Sequence, residues 1–378
     1  MPDSAPAPAG PRLAMVYVET TRRCNLACPH CMARPTRGGA AGPELDLAEL
    51  TRLVLAPARR LGARIVVFSG GEFFLRPDAL EILAAADGLG FYSRVATNGL
   101  ALDSGLLALL RRRFGSRLGF SLGVNSFDQA NRATRCQDAG RTLALIKKLR
   151  RFRFNLQLTV TVGRHNAGSF PATARAIAGL GLAFNRSPLV PRGAGDPALM
   201  LDAATMARLV HPSLVARVHG YISFTPFFLR PEDYLALGGA ARPGSNFASL
   251  PPVGCWCGSW LAVGAEGEVS PCPLLLDGVS LGNVRAAGGL DQVASASRLL
   301  ARLRDRRNLG GRCGACRYRY TCGGCRALAY YQTGDVLGPD PTCFLDRLSS
   351  AEAARLERLT AANFRTHARA LRLGRVFS

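Results

Sequence analysis

Lysine is nearly missing from this chain. Lys147 and Lys148 are the only two, and the remaining basic residues are all arginine. With so much Ala and Gly, that skew reads as the codon bias of a GC-rich genome. The net charge of +22 is therefore weak evidence for an acidic partner, and nucleic acid is not an expected one. Long apolar runs are missing too. No stretch reaches the ~18 residues that a membrane-spanning helix needs, so no membrane association is expected. Residues 1–13 are Pro- and Ala-rich and read as a flexible N-terminus. They show no charged segment followed by an apolar one, so no signal peptide is read there and a cytoplasmic protein is expected. There is no internal repeat. Hydrophobic residues make up 48% of the 378, enough for a packed core in two domains.

From residue 14 to 218 short apolar runs alternate with longer amphipathic ones. Ala14–Glu19, Arg64–Phe68, Tyr92–Ala96, Leu118–Leu122, Leu156–Val162 and Leu182–Ser187 predict strands. Leu45–Leu61, Asp78–Leu89, Ser104–Arg113, Ala139–Arg151, Ser169–Leu180 and Asp202–Val218 predict helices. This alternation argues for βα units and a parallel sheet. Six units fit, fewer than the eight of a closed barrel, so a partial barrel and an open α/β sheet both satisfy the pattern. Residues 219–254, rich in Phe, Pro and Gly, read as a connection. Residues 255–346 hold no long periodic segment and read as a small domain stapled by metal. Residues 347–378 read as a basic C-terminal segment, helical over 350–372, with Leu356, Leu359 and Phe364 on its apolar side.

Twelve cysteines are the strongest signal. In a reducing compartment, clustered cysteines are more often metal ligands than disulfides. Cys136 stands apart and reads as a buried free thiol. The first group, Cys24-Asn-Leu-Ala-Cys28-Pro-His-Cys31, follows the first predicted strand. Three thiolates on one loop can grip three irons of a cubane and leave the fourth iron open. A zinc site is the competing reading, but a structural zinc needs a fourth ligand. His30, wedged between Cys28 and Cys31, is poorly disposed to supply it. The second group contains Cys255, Cys257 and Cys272, then Cys313, Cys316, Cys322 and Cys325, then Cys343. Eight thiolates make two four-ligand sites, and spacing alone leaves zinc ribbons and iron–sulfur clusters both open.

The C-x3-C-x2-C loop after strand one closely resembles that of the radical S-adenosylmethionine (SAM) superfamily, with His30 where an aromatic residue is usual. The resemblance implies a partial (β/α)6 TIM-like barrel, an α/β fold. It also implies that Cys24, Cys28 and Cys31 hold a [4Fe–4S] cluster and that SAM binds the open iron. One electron would cleave SAM to a 5′-deoxyadenosyl radical that removes a hydrogen atom from the substrate. Gly70-Gly71-Glu72 matches the family's "GGE" turn, which meets the SAM amino group. Asn98, in Thr97-Asn98-Gly99, matches another common strand ending. Ser121 stands where relatives contact SAM, and Arg132 and Arg135 match an arginine about a dozen residues later. Gly123 replaces the family's Asp. The strand-six exit, from Asn185 to Gly193, matches a segment near the adenine.

The second cysteine group resembles the SPASM extension of the same superfamily. The run Cys322-Gly-Gly-Cys325-Arg-Ala-Leu-Ala-Tyr resembles a subgroup that modifies haem precursors or matures mycofactocin. The interleaved ligation of that family puts Cys313, Cys316, Cys322 and Cys343 on an outer auxiliary cluster. Cys272 and Cys325 join the inner one; Cys255 and Cys257 are added here to close its count of four, and if only one of the two binds, the inner cluster keeps an open iron for substrate. That makes three [4Fe–4S] clusters in all. A chain of clusters offers an electron path outward and favours an oxidative outcome, with Asp277 a candidate to remove a proton. The expected function is a SAM-cleaving oxidoreductase that modifies a peptide or a peptide-derived cofactor precursor. The alternatives are a small molecule, such as a tetrapyrrole carboxylate or an aminoglycoside-type alcohol, and a non-catalytic cluster-binding protein. Flavodoxin or ferredoxin is the expected electron donor. Only about a dozen residues precede the first strand, so a peptide substrate is expected to come with a separate leader-binding protein.

Overall fold

A computed structural model describes residues 13–33, 43–217, 225–236 and 253–372. Six parallel strands form as the alternation requires: β1 (Met15–Thr21), β2 (Ile65–Gly70), β3 (Tyr92–Thr97), β4 (Leu118–Gly123), β5 (Asn155–Val162) and β6 (Ala183–Pro188). They pair in sequence order, each with the next. Helices cross over between them, as parallel neighbours demand. One side of the sheet packs on these helices through Val16, Val18, Val66, Phe68, Val95, Phe120, Leu158 and Val160, all fully buried. The helix ends explain themselves locally. Asp46 and Glu49 form a capping box, and Asp103 and Asp138 accept from the first-turn amides. The last turns of Ser104–Phe114 and Ala139–Arg151 carry Arg111, Arg112, Arg113, Lys148, Arg150 and Arg151, cations suited to the negative end of the helix dipole.

Three further strands, β7 (Trp260–Val263), β8 (Glu268–Ser270) and β9 (Gly282–Asn283), were not legible as strands. β7 pairs parallel with β1 in register Met15↔Trp260 to Val18↔Val263, and β8 and β9 follow antiparallel. The sheet therefore has nine strands in the order β6-β5-β4-β3-β2-β1-β7-β8-β9. The cysteine-rich region enters as a continuation of the barrel sheet. Short helices at Leu290–Ala296, Arg298–Arg304 and Arg326–Thr333 complete it. Seven or eight residues each, they are too short to display a period. The bidentate Arg285–Glu49 pair (2.7 Å) ties this region to the first barrel helices.

The C-terminal helix spans Ser350–Arg372. Phe364 is buried against Tyr234 at 5.0 Å, whereas Leu359, expected on the packed side, is exposed. Of the expected connection, only residues 225–236 and 253–254 lie among those described.

Candidate active site

Side chains alternate across a strand, so the side of the sheet turned away from the helices has its own composition. It carries Tyr17 and Glu19 of β1, Ser69 of β2, Arg94 of β3, Ser121 of β4, and Asn155, Gln157 and Thr159 of β5. This lumen is polar. The exits of its strands at the C-terminal end converge on the first cysteine loop.

The loop from Thr21 to Cys24 is threaded through the turn after β2. Gly71 N–H donates to Thr21 O at 2.7 Å and Glu72 N–H to Arg23 O at 2.8 Å. A Cβ on Gly71 would collide with the Arg23 carbonyl, so close approach by the cluster loop demands glycine here. Glu72 is fully buried. Its carboxylate accepts from Thr97 Oγ1 (2.7 Å), Asn98 N (2.8 Å) and Phe74 N (3.3 Å), while burial pushes its pKa up. The side chain expected to meet an ammonium thus also fastens the β2 and β3 exits together. Asn98 donates from its amide to Asn25 Oδ1 at 2.7 Å and lies 4.0 Å from Cys24 Sγ. Ser121 shares a 2.8 Å hydrogen bond with Thr159.

The two candidate arginines part company. Both lie on a short helix, Ala130–Arg135, that the sequence did not announce. Arg132 is exposed to solvent. Arg135 reaches inward over Gly123, where any Cβ would strike its guanidinium. The glycine that replaces the family's Asp leaves the room this arginine occupies. Arg135 lies 3.5 Å from His30 Nε2, and Asn125 Nδ2 lies 3.3 Å from the same nitrogen. With two donors on Nε2, the proton belongs on Nδ1. Burial, aided by the Arg135 charge, holds His30 down at about 3, so the ring stays neutral. Among the described residues Nδ1 is buried without a protein partner, as is Arg23 Nε. His30 also stacks on His165 at 5.8 Å. Cys136 is not buried as expected. It is exposed in a left-handed conformation at the end of that helix, its thiol 3.4 Å from Ala27 O.

Cys24, Cys28 and Cys31 are free thiols, and Cys28 donates to Arg135 O at 3.2 Å. Burial raises all three pKa values, that of Cys28 to about 11, and the Arg135 charge opposes it each time. Among the described residues no three ligand side chains converge on one point as a mononuclear ion requires. A cubane instead takes one thiolate per iron corner, so its ligands stand apart. Three loop thiols beside orphaned buried N–H groups fit a cluster with a polar ligand on its open side.

The second cysteine group falls into two quartets. Cys257 and Cys272 feel the charges of Cys255 and Cys325, and Cys257 feels that of Cys272. Cys316, Cys322 and Cys343 feel that of Cys313. Burial is the leading cause of the raised pKa in each of these five, and in Cys325 as well. Cys313, Cys316, Cys322 and Cys343 also line one cavity of ≈460 Å³, open to solvent, beneath Phe228 and Pro226.

Sequence reasoning passed over several lumen residues. Arg94 donates to Gln157 Oε1 (3.0 Å) and Asn155 Oδ1 (2.9 Å), and no acidic side chain pairs with it among the described residues. Its signal was an arginine at an alternate position within an apolar strand. Arg192, on the β6 exit, makes a bidentate pair with Glu19 at 2.8 and 3.0 Å. It also donates to Pro273 O and lies 3.4 Å from Asp277. Asp277, the expected proton acceptor, is therefore held in an ion pair.

Residues 18–177 match the model of the radical SAM superfamily. The chain is 31% identical over 342 residues to the AdoMet-dependent heme synthase of Methanosarcina barkeri, covering 88% of this chain and 96% of that one. It is 29% identical over 352 residues to the PqqA peptide cyclase of Xanthomonas campestris pv. campestris, covering 87% and 86%. In fold it is similar to Streptococcus suis SuiB bound to S-adenosylmethionine, with a TM-score of 0.64 at 16% identity over 89% of this chain and 78% of that one. The six-stranded partial barrel is thus the fold of that structure, and the chain belongs to the radical SAM superfamily as an enzyme with SPASM-type relatives.

Proposed function

We propose that this enzyme removes a hydrogen atom from a carboxylate-bearing substrate and then passes one electron from it to two auxiliary [4Fe–4S] clusters held by the two thiol quartets. When bound, the first cluster and SAM supply the radical that abstracts the hydrogen. The observation that carries this reading is the grouping of Cys255, Cys257, Cys272 and Cys325 apart from Cys313, Cys316, Cys322 and Cys343. Arg135 and Asn125 keep His30 neutral and leave its Nδ1–H free to donate to a ligand. Arg94, with neutral partners in a polar lumen, suits a substrate carboxylate. The identity to the heme synthase supports a tetrapyrrole propionate. Its oxidative decarboxylation loses one hydrogen atom, carbon dioxide and one electron, and leaves a vinyl group. The peptide cyclase relatives support a peptide as the second reading.

The test is iron and sulfide per chain after anaerobic reconstitution, for the native protein and for Cys24→Ala/Cys28→Ala/Cys31→Ala. About twelve irons falling to about eight is expected, with SAM cleavage lost in the triple variant. Incubation of the native enzyme with a propionate-bearing iron porphyrin should give the vinyl product by mass spectrometry. Zinc in place of iron, or iron unchanged in the triple variant, overturns the catalytic reading. A cross-linked peptide in place of a vinyl porphyrin selects the second substrate.

A further inference from the structure

Two buried guanidinium groups stand where the thiol quartets meet. Arg326 follows Cys325 directly and opens the helix Arg326–Thr333. It is 3% exposed. Its donors go to Gly324 O (3.2 Å), Val336 O (3.2 Å) and Gly338 O (2.6 Å), and Nη2 lies 3.7 Å from Cys313 Sγ. All of these acceptors are neutral. The nearest carboxylate, Asp340, is fully buried but committed elsewhere. It accepts from Cys325 N at 2.6 Å, Thr342 N at 2.9 Å and Thr342 Oγ1 at 2.7 Å. It makes no ion pair with Arg326 among the described residues.

Arg306, 4% exposed, donates to Cys255 O at 2.7 Å and Arg319 O at 3.3 Å, in space left by Gly323. Each arginine faces both quartets. The Arg326 charge interacts with Cys255 and Cys325 of one, with Cys313 of the other, and with Asp340 beside them. The Arg306 charge interacts with Cys255 and Cys257 of one and Cys322 of the other.

A guanidinium stays charged. Four thiolates make a loaded quartet net anionic, and each electron added makes it more so. A fixed cation between two such sites therefore favours the reduced state of both, and an N–H aimed at a ligand sulfur acts in the same direction. We propose that Arg326, seconded by Arg306, is a positioned positive charge shared by the two quartets that raises the reduction potential of the clusters they hold. This rests on the reading that both quartets hold clusters.

The test uses the full reconstituted chain carrying Cys24→Ala/Cys28→Ala/Cys31→Ala, so that only the auxiliary signals remain. The readout is a redox titration followed by electron paramagnetic resonance. Arg326→Gln should lower the reduced-to-oxidised ratio at a fixed potential about tenfold for both clusters, about 59 mV for one electron. Arg326→Lys, which keeps the charge, should recover most of that shift. Midpoints unmoved in an Arg326→Gln chain with full iron overturn the inference, as does a Lys variant no better than Gln. If Arg326→Gln does not retain iron, Arg306→Gln carries the same expectation, and unmoved midpoints there overturn it. Loss of both auxiliary signals from the unsubstituted arginine background fails the cluster reading itself, and the inference with it.

Discussion

Arg132 and Arg135 are three residues apart on one helical turn and equally matched by sequence, yet only one faces the cysteine loop. Arg135 rests over Gly123 and beside His30, and its charge acts on Cys24, Cys28 and Cys31. Arg132 is exposed. Arg135→Gln is expected to cut the rate of SAM cleavage at least about tenfold, the scale of one lost charge-assisted hydrogen bond of about 1.5–3 kcal/mol. Arg132→Gln should stay within about twofold, since exposed charges contribute little. Rates of methionine release from the two reconstituted variants decide it, and equal loss in both would contradict the assignment.

Among the elements, one side chain joins β1, the β6 exit and the turn after Cys272 by polar contacts. Arg192 is 3% exposed, and it joins Glu19 of β1 to Pro273 O and Asp277. Its charge also opposes the upward push that burial and neighbouring thiols give Cys272. Arg192→Met would leave the Glu19 carboxylate, 4% exposed, buried without its partner. Breaking such a pair costs about 3–5 kcal/mol. Chemical denaturation should register that loss. A change below about 1 kcal/mol would assign the pair no more weight than a surface contact.

Across the whole molecule, burial keeps several of the clustered thiols protonated when no metal is bound. Burial raises Cys28 to about 11 and Cys325 and Cys343 to about 12, with the field of neighbouring thiolates and Asp340 adding to the last two. A folded-state pKa above the unfolded one means that the folded chain holds its protons longer. That contribution is complete below about pH 8.5, the unfolded value, and disappears as pH rises through 11–12. Urea midpoints of the metal-free chain should fall over this window. The fall should be shallower in Cys325→Ala/Cys343→Ala, which lacks two of the groups. Parallel curves would show that these thiols are not protonated in the folded chain.

The six parallel strands, five of the crossover helices to within two residues and the three-thiolate loop were legible because they rest on local periodicity and on ligands adjacent in the chain. The same holds for the Gly70-Gly71-Glu72 turn. Tertiary structure alone decided what depends on approach between distant segments. It laid β7 on β1 across 245 residues of sequence separation and fastened the β2 and β3 exits together through buried Glu72. It brought Cys136 to the surface, seated Arg135 rather than Arg132 over the loop, and set Arg306 and Arg326 between the quartets. Spacing counts ligands along a chain. Only the folded chain fixes which charges share a low-dielectric interior with them.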